Sequence, residues 1–89
     1  MKRYYVVFKG SVQGVGFRYT VKTFAEQLSI TGWIRNLNNG DVDMEIQAEQ
    51  HAIDELINKL LKNKGWIRID DYAMKAITII HETSFKIIL

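Results

Sequence analysis

The fold of this chain is decided by the stretch Gly10-Ser11-Val12-Gln13-Gly14-Val15-Gly16-Phe17-Arg18. It follows an apolar, strand-like run at residues 4–8 and leads into a run with helical spacing that begins at Phe17. A loop with three glycines between a strand and a helix can turn its backbone N–H groups inward around one point, with the positive end of the helix dipole behind it. The stretch therefore predicts a strand, an anion-binding loop and a helix in succession.

The predicted anion site has backbone donors and one charged side chain. The backbone donors are the N–H groups of Gly14, Val15, Gly16, Phe17 and Arg18. Arg18 also adds a permanent, forked cation suited to a phosphate. A cation in the first turn of a helix opposes the helix dipole, so its presence there indicates a bound anion. The alternative is an ordinary strand-to-helix loop whose glycines only permit the turn.

Two further residues of the stretch are expected to shape the loop rather than to bind the anion. Gly10 would allow a close backbone approach at the end of the strand, because it has no side chain. Gln13 would brace the loop.

The rest of the chain has the periodicity of alternating strands and helices. The turn at residues 37–40 ends in Asn-Gly, which favours a hairpin. The predicted strands cover residues 3–9, 32–36, 41–49, 72–81 and 85–89, and the predicted helices cover residues 17–28 and 50–62. This order, βαββαβ with a short extra strand, predicts one α+β domain over residues 1–89. It is a ferredoxin-like sandwich in which two helices cover one face of a mixed, largely antiparallel sheet.

This topology brings a second polar residue, Asn36, towards the anion loop. A split βαβ crossover makes the first two strands parallel, so their carboxyl ends lie at the same edge of the sheet. With the third strand antiparallel between them, Arg18 and Asn36 are separated by two strand spacings, about 9–10 Å. A phosphate-sized anion and an arginine side chain would span that gap. By itself, Asn36 is equally typical of a turn residue at a strand end.

Composition excludes several classes of protein. With 89 residues, 47% of them hydrophobic, the chain supports one modest core. A net charge of +2 is too small to favour nucleic acid or an anionic membrane. Cysteine is absent, so disulfides, thiolate catalysis and cysteine metal sites are excluded, and the chain is compatible with a reducing cytoplasm. No run approaches the roughly 20 apolar residues of a membrane span.

The remaining polar and aromatic residues are expected to be structural. His51 and His81 have neither a carboxylate partner nor metal-ligand spacing, which is typical of surface or packing residues. The acidic residues at positions 41, 43 and 45 alternate along a strand and are expected on its solvent face. Asp70-Asp71 is expected in a solvated loop and Trp66 over an edge of the core.

The opening stretch resembles the signature of the acylphosphatases, small enzymes that hydrolyse carboxyl–phosphate anhydrides. A second block, Gly32-Trp33-Ile34-Arg35-Asn36 followed by Gly40-Asp41-Val42, resembles the same family at the expected distance and in the expected order. The resemblance covers essentially the whole chain in length and element order. It implies that Asn36 positions the attacking water, since a carboxamide cannot act as a general base but can accept a hydrogen bond from the water and direct its lone pair.

The resemblance implies hydrolysis of an acyl phosphate to a carboxylate and inorganic phosphate, with Arg18 and Asn36 as catalytic residues. No metal or organic cofactor is expected. The expected partners are a small acyl phosphate as substrate and inorganic phosphate as product and competitive inhibitor, without nucleic acid or membrane, for a cytoplasmic monomer. Two alternatives on the same fold stay open, because a fold alone does not fix function. They are a non-catalytic phosphate-binding domain and a nucleic-acid or regulatory binding module.

Overall fold

The structure, a computed structural model, describes residues 1–63 and 65–89. The strands are β1 (Lys2–Ser11), β2 (Thr31–Asn36), β3 (Val42–Ala48), β4 (Arg68–Ile77) and β5 (Phe85–Ile88). The helices are α1 (Phe17–Gln27) and α2 (Gln50–Lys62). Neither helix has the length and apolar character required to cross a membrane, and the described residues contain no other candidate. The predicted α+β sandwich, βαββαβ with a short extra strand, is confirmed.

The five strands form one sheet in the order β4-β1-β3-β2-β5. β3 is antiparallel to both of its neighbours, so β1 and β2 run in the same direction, as the crossover through α1 predicts. β5 adds to the outer side of β2 in parallel. The carboxyl ends of β1 and β2 therefore lie at one edge of the sheet, with a single strand between them.

The core lies between the sheet and the two helices. Alternate residues of each strand face it, because successive side chains on a strand point to opposite sides. The fully buried members include Val6, Phe8, Val42, Met44 and Ile46 from strands, and Val21, Ala25, Ile53 and Leu56 from helices. The ring of Phe17, the first residue of α1, meets the Phe8 ring edge-on with 5.2 Å between centroids. This contact fixes the start of α1 beside the end of β1.

The sheet face opposite the helices carries a buried polar network. The Arg3 guanidinium donates to Glu45 and to Glu82, both at 2.8 Å, and Arg3 is itself buried. Asp43 is 0% exposed, because an arginine and a tyrosine from neighbouring strands cover it. The expectation of a solvent face at positions 41, 43 and 45 is therefore wrong for Asp43. The alternation of acidic residues along β3 identifies the sheet face on which they lie, but it does not show which side chains cover that face.

The fourth strand begins earlier than the sequence predicts. β4 starts at Arg68 rather than at residue 72 and ends at Ile77, so the acidic pair at positions 70 and 71 lies in the strand rather than in a loop. An edge strand tolerates such charges, because its outer side faces solvent. The pairing of β4 with β1 continues to Arg68, past a bulge at Gly10. A Cβ at Gly10 would lie 2.2 Å from the Arg68 carbonyl oxygen. The predicted close approach at Gly10 is thus confirmed.

Two residues outside β4 also differ from expectation. His81 follows the strand instead of lying within it. Trp66 is 87% exposed, so it does not cover an edge of the core.

Candidate active site

The glycine loop joins β1 to α1, and two of its glycines have left-handed backbone conformations. The φ angle is 73° at Gly14 and 78° at Gly16. A Cβ at either position would meet no described atom within 4 Å, so backbone conformation rather than space favours glycine here. Gly16 is also the N-cap of α1, and no side chain caps the helix there. The loop therefore leaves the N-terminus of α1 open.

The amides of this loop form a set of unpaired donors. Within residues 1–63 and 65–89, the N–H groups of residues 14–18 donate to no carbonyl and to no side chain. The first bond of the helix runs from the Thr20 N–H to the Gly16 carbonyl at 3.0 Å. The first turn of α1 contains no acidic residue. Unpaired amides and the helix dipole together make this end of α1 electropositive.

Gln13 connects the loop to the far side of the site. Its Nε2 donates to the carbonyl of Leu37 at 2.7 Å and to the carbonyl of Asp41 at 2.8 Å. Both carbonyls belong to the turn that follows β2. The predicted bracing role of Gln13 is confirmed, and its partner is the turn next to Asn36.

Arg18 lies half-buried in the first turn of α1. Within the described residues it forms no ion pair with a carboxylate. A cation at this end of a helix is repelled by the dipole, and no acidic partner offsets that repulsion. The guanidinium is therefore available to an anion.

Asn36 ends β2 and faces the helix side of the sheet. It pairs with Val42 on β3, which in turn pairs with Phe8 on β1, so the three residues form one row. The Oδ1 atom of Asn36 is buried and accepts no hydrogen bond from the described part of the chain. A buried acceptor without a partner costs about 1–3 kcal/mol, and an atom of this kind calls for a bound water or ligand.

Arg18 and Asn36 line the same cleft, of about 440 Å³. The other lining residues are Arg35, Ile88 and Leu89. This volume is in the range of small-molecule sites. Residues 14–17, the rest of the predicted anion loop, do not line the cleft but directly precede Arg18 in the chain.

Arg35 is a residue of the cleft to which sequence reasoning assigned no role. Its Nε and Nη2 donate to the two oxygens of the buried Asp43 at 2.9 and 3.1 Å. The Tyr5 hydroxyl donates to the same carboxylate at 2.6 Å, and the guanidinium carbon lies 5.0 Å from the Trp33 ring centre. The hairpin register could have indicated this pair, because the turn at residues 37–40 places Arg35 opposite Asp43.

Hydrogen bonding to Asp43 also affects the protonation of both donors. It raises the pKa of the Arg35 guanidinium further above its ordinary value. It raises the pKa of the Tyr5 hydroxyl above 10.0, with a smaller contribution from burial. Tyr5 and Arg35 therefore both remain hydrogen-bond donors at neutral pH.

Neither histidine lies at the cleft. His51 is exposed in the first turn of α2, and His81 is exposed beyond β4. No group of three or more histidine, aspartate or glutamate side chains within residues 1–63 and 65–89 is placed to hold a metal ion.

Known proteins share both the sequence pattern and the fold. A family model described as Acylphosphatase matches residues 4–87. The chain is 35% identical over 88 residues to an acylphosphatase of Clostridium beijerinckii, with 98% of each chain covered. It is 38% identical over 82 residues to an acylphosphatase of Bifidobacterium longum, with 92% of this chain and 84% of the relative covered.

The crystal structure of acylphosphatase from Bacillus subtilis has the same fold, with a TM-score of 0.95 at 24% identity and 100% of both chains covered. The family match spans nearly the whole chain, and so does the match to the Clostridium relative. The chain therefore belongs to the acylphosphatase family, enzymes that hydrolyse acyl phosphates.

Proposed function

We propose that this chain hydrolyses acyl phosphates in the cleft between α1 and the end of β2, with Arg18 and Asn36 as its catalytic residues. One observation carries the proposal. An arginine without a carboxylate partner and a buried asparagine oxygen without a hydrogen bond line the same cleft. These two groups have the chemistry needed for a phosphoryl group and for a water molecule.

The phosphoryl group would be bound by residues 14–18. Five backbone N–H groups without partners and the positive end of the α1 dipole supply a concave set of donors for phosphate oxygens. The Arg18 guanidinium adds two parallel N–H groups and a full positive charge. Charge that develops on the equatorial oxygens during transfer would meet donors that are already in place, which lowers the barrier without reorganisation.

The nucleophile would be a water bound to Asn36. The Oδ1 atom accepts a hydrogen bond from the water, which directs a lone pair of the water oxygen towards phosphorus. A new P–O bond forms as the bond between phosphorus and the carboxylate oxygen breaks. The water proton passes to a phosphate oxygen, and the carboxylate leaves as an anion. A carboxylate is a good leaving group, so no side chain has to act as a general acid.

The proposal also covers the partners and the location of the enzyme. The enzyme takes a small acyl phosphate as substrate and releases inorganic phosphate, which competes with the substrate for residues 14–18. It acts as a cytoplasmic monomer without nucleic-acid or membrane partners. The weak net charge of +2 and the lack of cysteine support this assignment. Light scattering coupled to gel filtration measures the oligomeric state.

The test is hydrolysis of benzoyl phosphate with and without a chelator. Turnover that is retained in the chelator and inhibited competitively by inorganic phosphate supports the proposal. His51→Ala and His81→Ala serve as controls, because both residues lie away from the cleft and should leave turnover unchanged. Complete loss of turnover in the chelator, or in either folded histidine variant, would refute the mechanism. Phosphate binding without any turnover would instead identify a non-catalytic binding domain.

A further inference from the structure

We propose that Lys22 is a positioning residue, which holds β5 against α1 and so keeps the end of β5 beside Arg18 in the cleft. Its ammonium group donates to the main-chain carbonyl of Phe85 at 3.0 Å and to Oε2 of Glu26 at 3.0 Å. Neither Lys22 nor these two partners line the cleft, so the residue would act on the site through β5. The inference rests on the proposed function, because it takes the cleft to be the place where acyl phosphates bind.

One face of α1 follows β5 along its length. Arg18, Lys22 and Glu26 are each four residues apart, so they succeed one another on the same face of the helix. Arg18 lines the cleft together with Ile88, the last residue of β5. One turn further along α1, Lys22 binds the carbonyl of Phe85, which is the first residue of β5. The hydrogen bond therefore joins the same two elements that meet at the cleft.

The strand β5 has few other contacts that fix its position. It is four residues long, lies at the edge of the sheet and pairs only with β2. The side chain of Phe85 is buried in the core, whereas Ile88 at the other end of the strand is 42% exposed. Short edge elements with one partner are among the parts of a protein that open locally most easily. A charge-assisted hydrogen bond from α1 to the β5 main chain opposes such opening.

The position of β5 should affect ligand binding more than the chemical step. Conformations in which β5 has moved away from α1 lack part of the cleft lining, so they would bind phosphate and substrate weakly. Apparent affinity falls in proportion to the fraction of molecules that are competent to bind. Asn36 ends β2 rather than β5, so the proposed water position is retained and a substrate that has bound still reacts. Loss of the Lys22 bond should therefore raise KM with little change in kcat.

The test variant is Lys22→Met, which retains an unbranched apolar stem and removes the ammonium group. We expect the KM for benzoyl phosphate and the dissociation constant of inorganic phosphate, from an NMR titration, to rise together by about 3- to 10-fold, the effect of losing one net hydrogen bond. The kcat should stay close to the native value. Hydrogen exchange followed by NMR should become faster at the amides of residues 86–88.

Three further variants control for charge, for the neighbouring ion pair and for the donor itself. Lys86→Met makes the same chemical change at an exposed position of β5 outside the cleft lining, and it should leave both constants and the exchange rates near native values. Glu26→Gln removes the carboxylate that pairs with Lys22 but leaves the bond to Phe85, and it should do the same. Lys22→Arg keeps a cationic donor and should restore most of the native affinity. Urea unfolding confirms that each variant is folded.

The outcomes separate this inference from the proposed function. Native constants and native exchange at β5 in Lys22→Met would overturn the inference and leave the proposed function intact. An equal rise of both constants in Lys86→Met would also overturn it, because loss of positive charge would then be the cause. Faster exchange across the whole sheet, with no rescue by Lys22→Arg, would identify a general structural role instead. Absence of turnover in the native enzyme would overturn the proposed function, and the phosphate dissociation constant and β5 exchange would then decide whether Lys22 positions the strand.

Discussion

The side-chain amide of Gln13 donates to the main-chain carbonyl of Leu37 at 2.7 Å, so the anion loop is hydrogen-bonded to the residue that directly follows Asn36. The same nitrogen reaches the Asp41 carbonyl at 2.8 Å on the other side of the turn. The loop follows β1 and Asn36 ends β2, and β3 lies between these two strands. This amide is therefore a direct polar link between the two halves of the site, and it limits their movement relative to one another.

Replacing Gln13 by alanine should lower both activity and stability. We expect kcat/KM to fall by about 10-fold or more, because a displacement of reacting groups by about 1 Å can reduce a rate 100-fold. The free energy of unfolding should fall by about 1–2 kcal/mol for the two lost hydrogen bonds. The Leu37 carbonyl keeps a bond from the Gly40 N–H, which limits the loss. Benzoyl phosphate kinetics and urea unfolding measure the two effects.

The matched control for Gln13 is Asn38→Ala. Asn38 is an exposed amide in the same turn, and no described residue hydrogen-bonds to its side chain. Its replacement should leave kinetics and unfolding near the native values. Equal losses in the two variants would show that the turn as a whole, rather than the Gln13 link, controls the site.

Inorganic phosphate should bind at residues 14–18. Their N–H groups have no partners in the described chain, and Arg18 is a neighbouring cation without an ion pair. A phosphate titration followed by amide NMR should therefore give its largest, saturable shifts in these residues. Sodium chloride at matched ionic strength controls for general screening. Shifts centred on α2, with residues 14–18 unaffected, would contradict the assignment of the anion loop.

The bond between Tyr5 and Asp43 should make stability depend on pH in the alkaline range. Hydrogen bonding to Asp43 raises the pKa of Tyr5 in the folded state above its ordinary 10.0, so folding favours the protonated phenol. The stabilisation is complete below the unfolded pKa and is lost as pH rises through the folded pKa. The stability difference between the native protein and Tyr5→Phe should therefore stay constant up to about pH 9 and shrink above about pH 10.

Urea unfolding across this range measures that difference. Tyr19→Phe is the control, because Tyr19 is exposed on α1 and its hydroxyl makes no hydrogen bond to described residues. Its stability should follow the native protein at every pH. A gap between native and Tyr5→Phe proteins that stayed constant through the alkaline range would show that the Asp43 bond does not couple to ionisation.

The sequence was sufficient to predict the convergence of the site, because that convergence follows from chain direction. A crossover through α1 makes β1 and β2 parallel, and pairing of Val42 with both Phe8 and Asn36 then follows from β3 lying between them. The kind of role played by Gly10 and Gln13 was also predictable, because a strand-end glycine permits a close backbone approach and a polar side chain can brace a loop. Their partners were not predicted, because Arg68, Leu37 and Asp41 are distant in the chain.

The burial of Asp43 on the sheet face opposite the helices could not be predicted in the same way. Strand alternation places Asp43 on the sheet face opposite the core. Its burial, however, depends on the side chains of Tyr5 from β1 and Arg35 from β2, which both hydrogen-bond to it. The segment after β4 also lies against this face, where the Gln47 side chain bonds both main-chain groups of Ile80. Such contacts join residues far apart in the chain, and no local period encodes them.

The two proposed catalytic residues should separate in their effects on binding and on turnover. Arg18 would contact the phosphoryl group in both the ground state and the transition state. Arg18→Ala should therefore weaken inhibition by inorganic phosphate and nearly abolish turnover. Arg18→Lys should restore little of either, because an ammonium is a point charge and cannot reproduce the parallel N–H groups of the guanidinium.

Asn36 should affect turnover far more than phosphate binding, because its Oδ1 atom is proposed to accept a hydrogen bond from the attacking water. We expect Asn36→Ala to lower kcat by about 100- to 1,000-fold, as for the loss of one preorganised polar group. The inhibition constant for phosphate should stay close to the native value. The measurement is paired, with kcat and the phosphate inhibition constant determined for Arg18→Ala and Asn36→Ala under the same conditions. If Asn36→Ala lost phosphate affinity as severely as Arg18→Ala while its kcat barely changed, Asn36 would be a ligand of the anion, and the water would have to be positioned by another group.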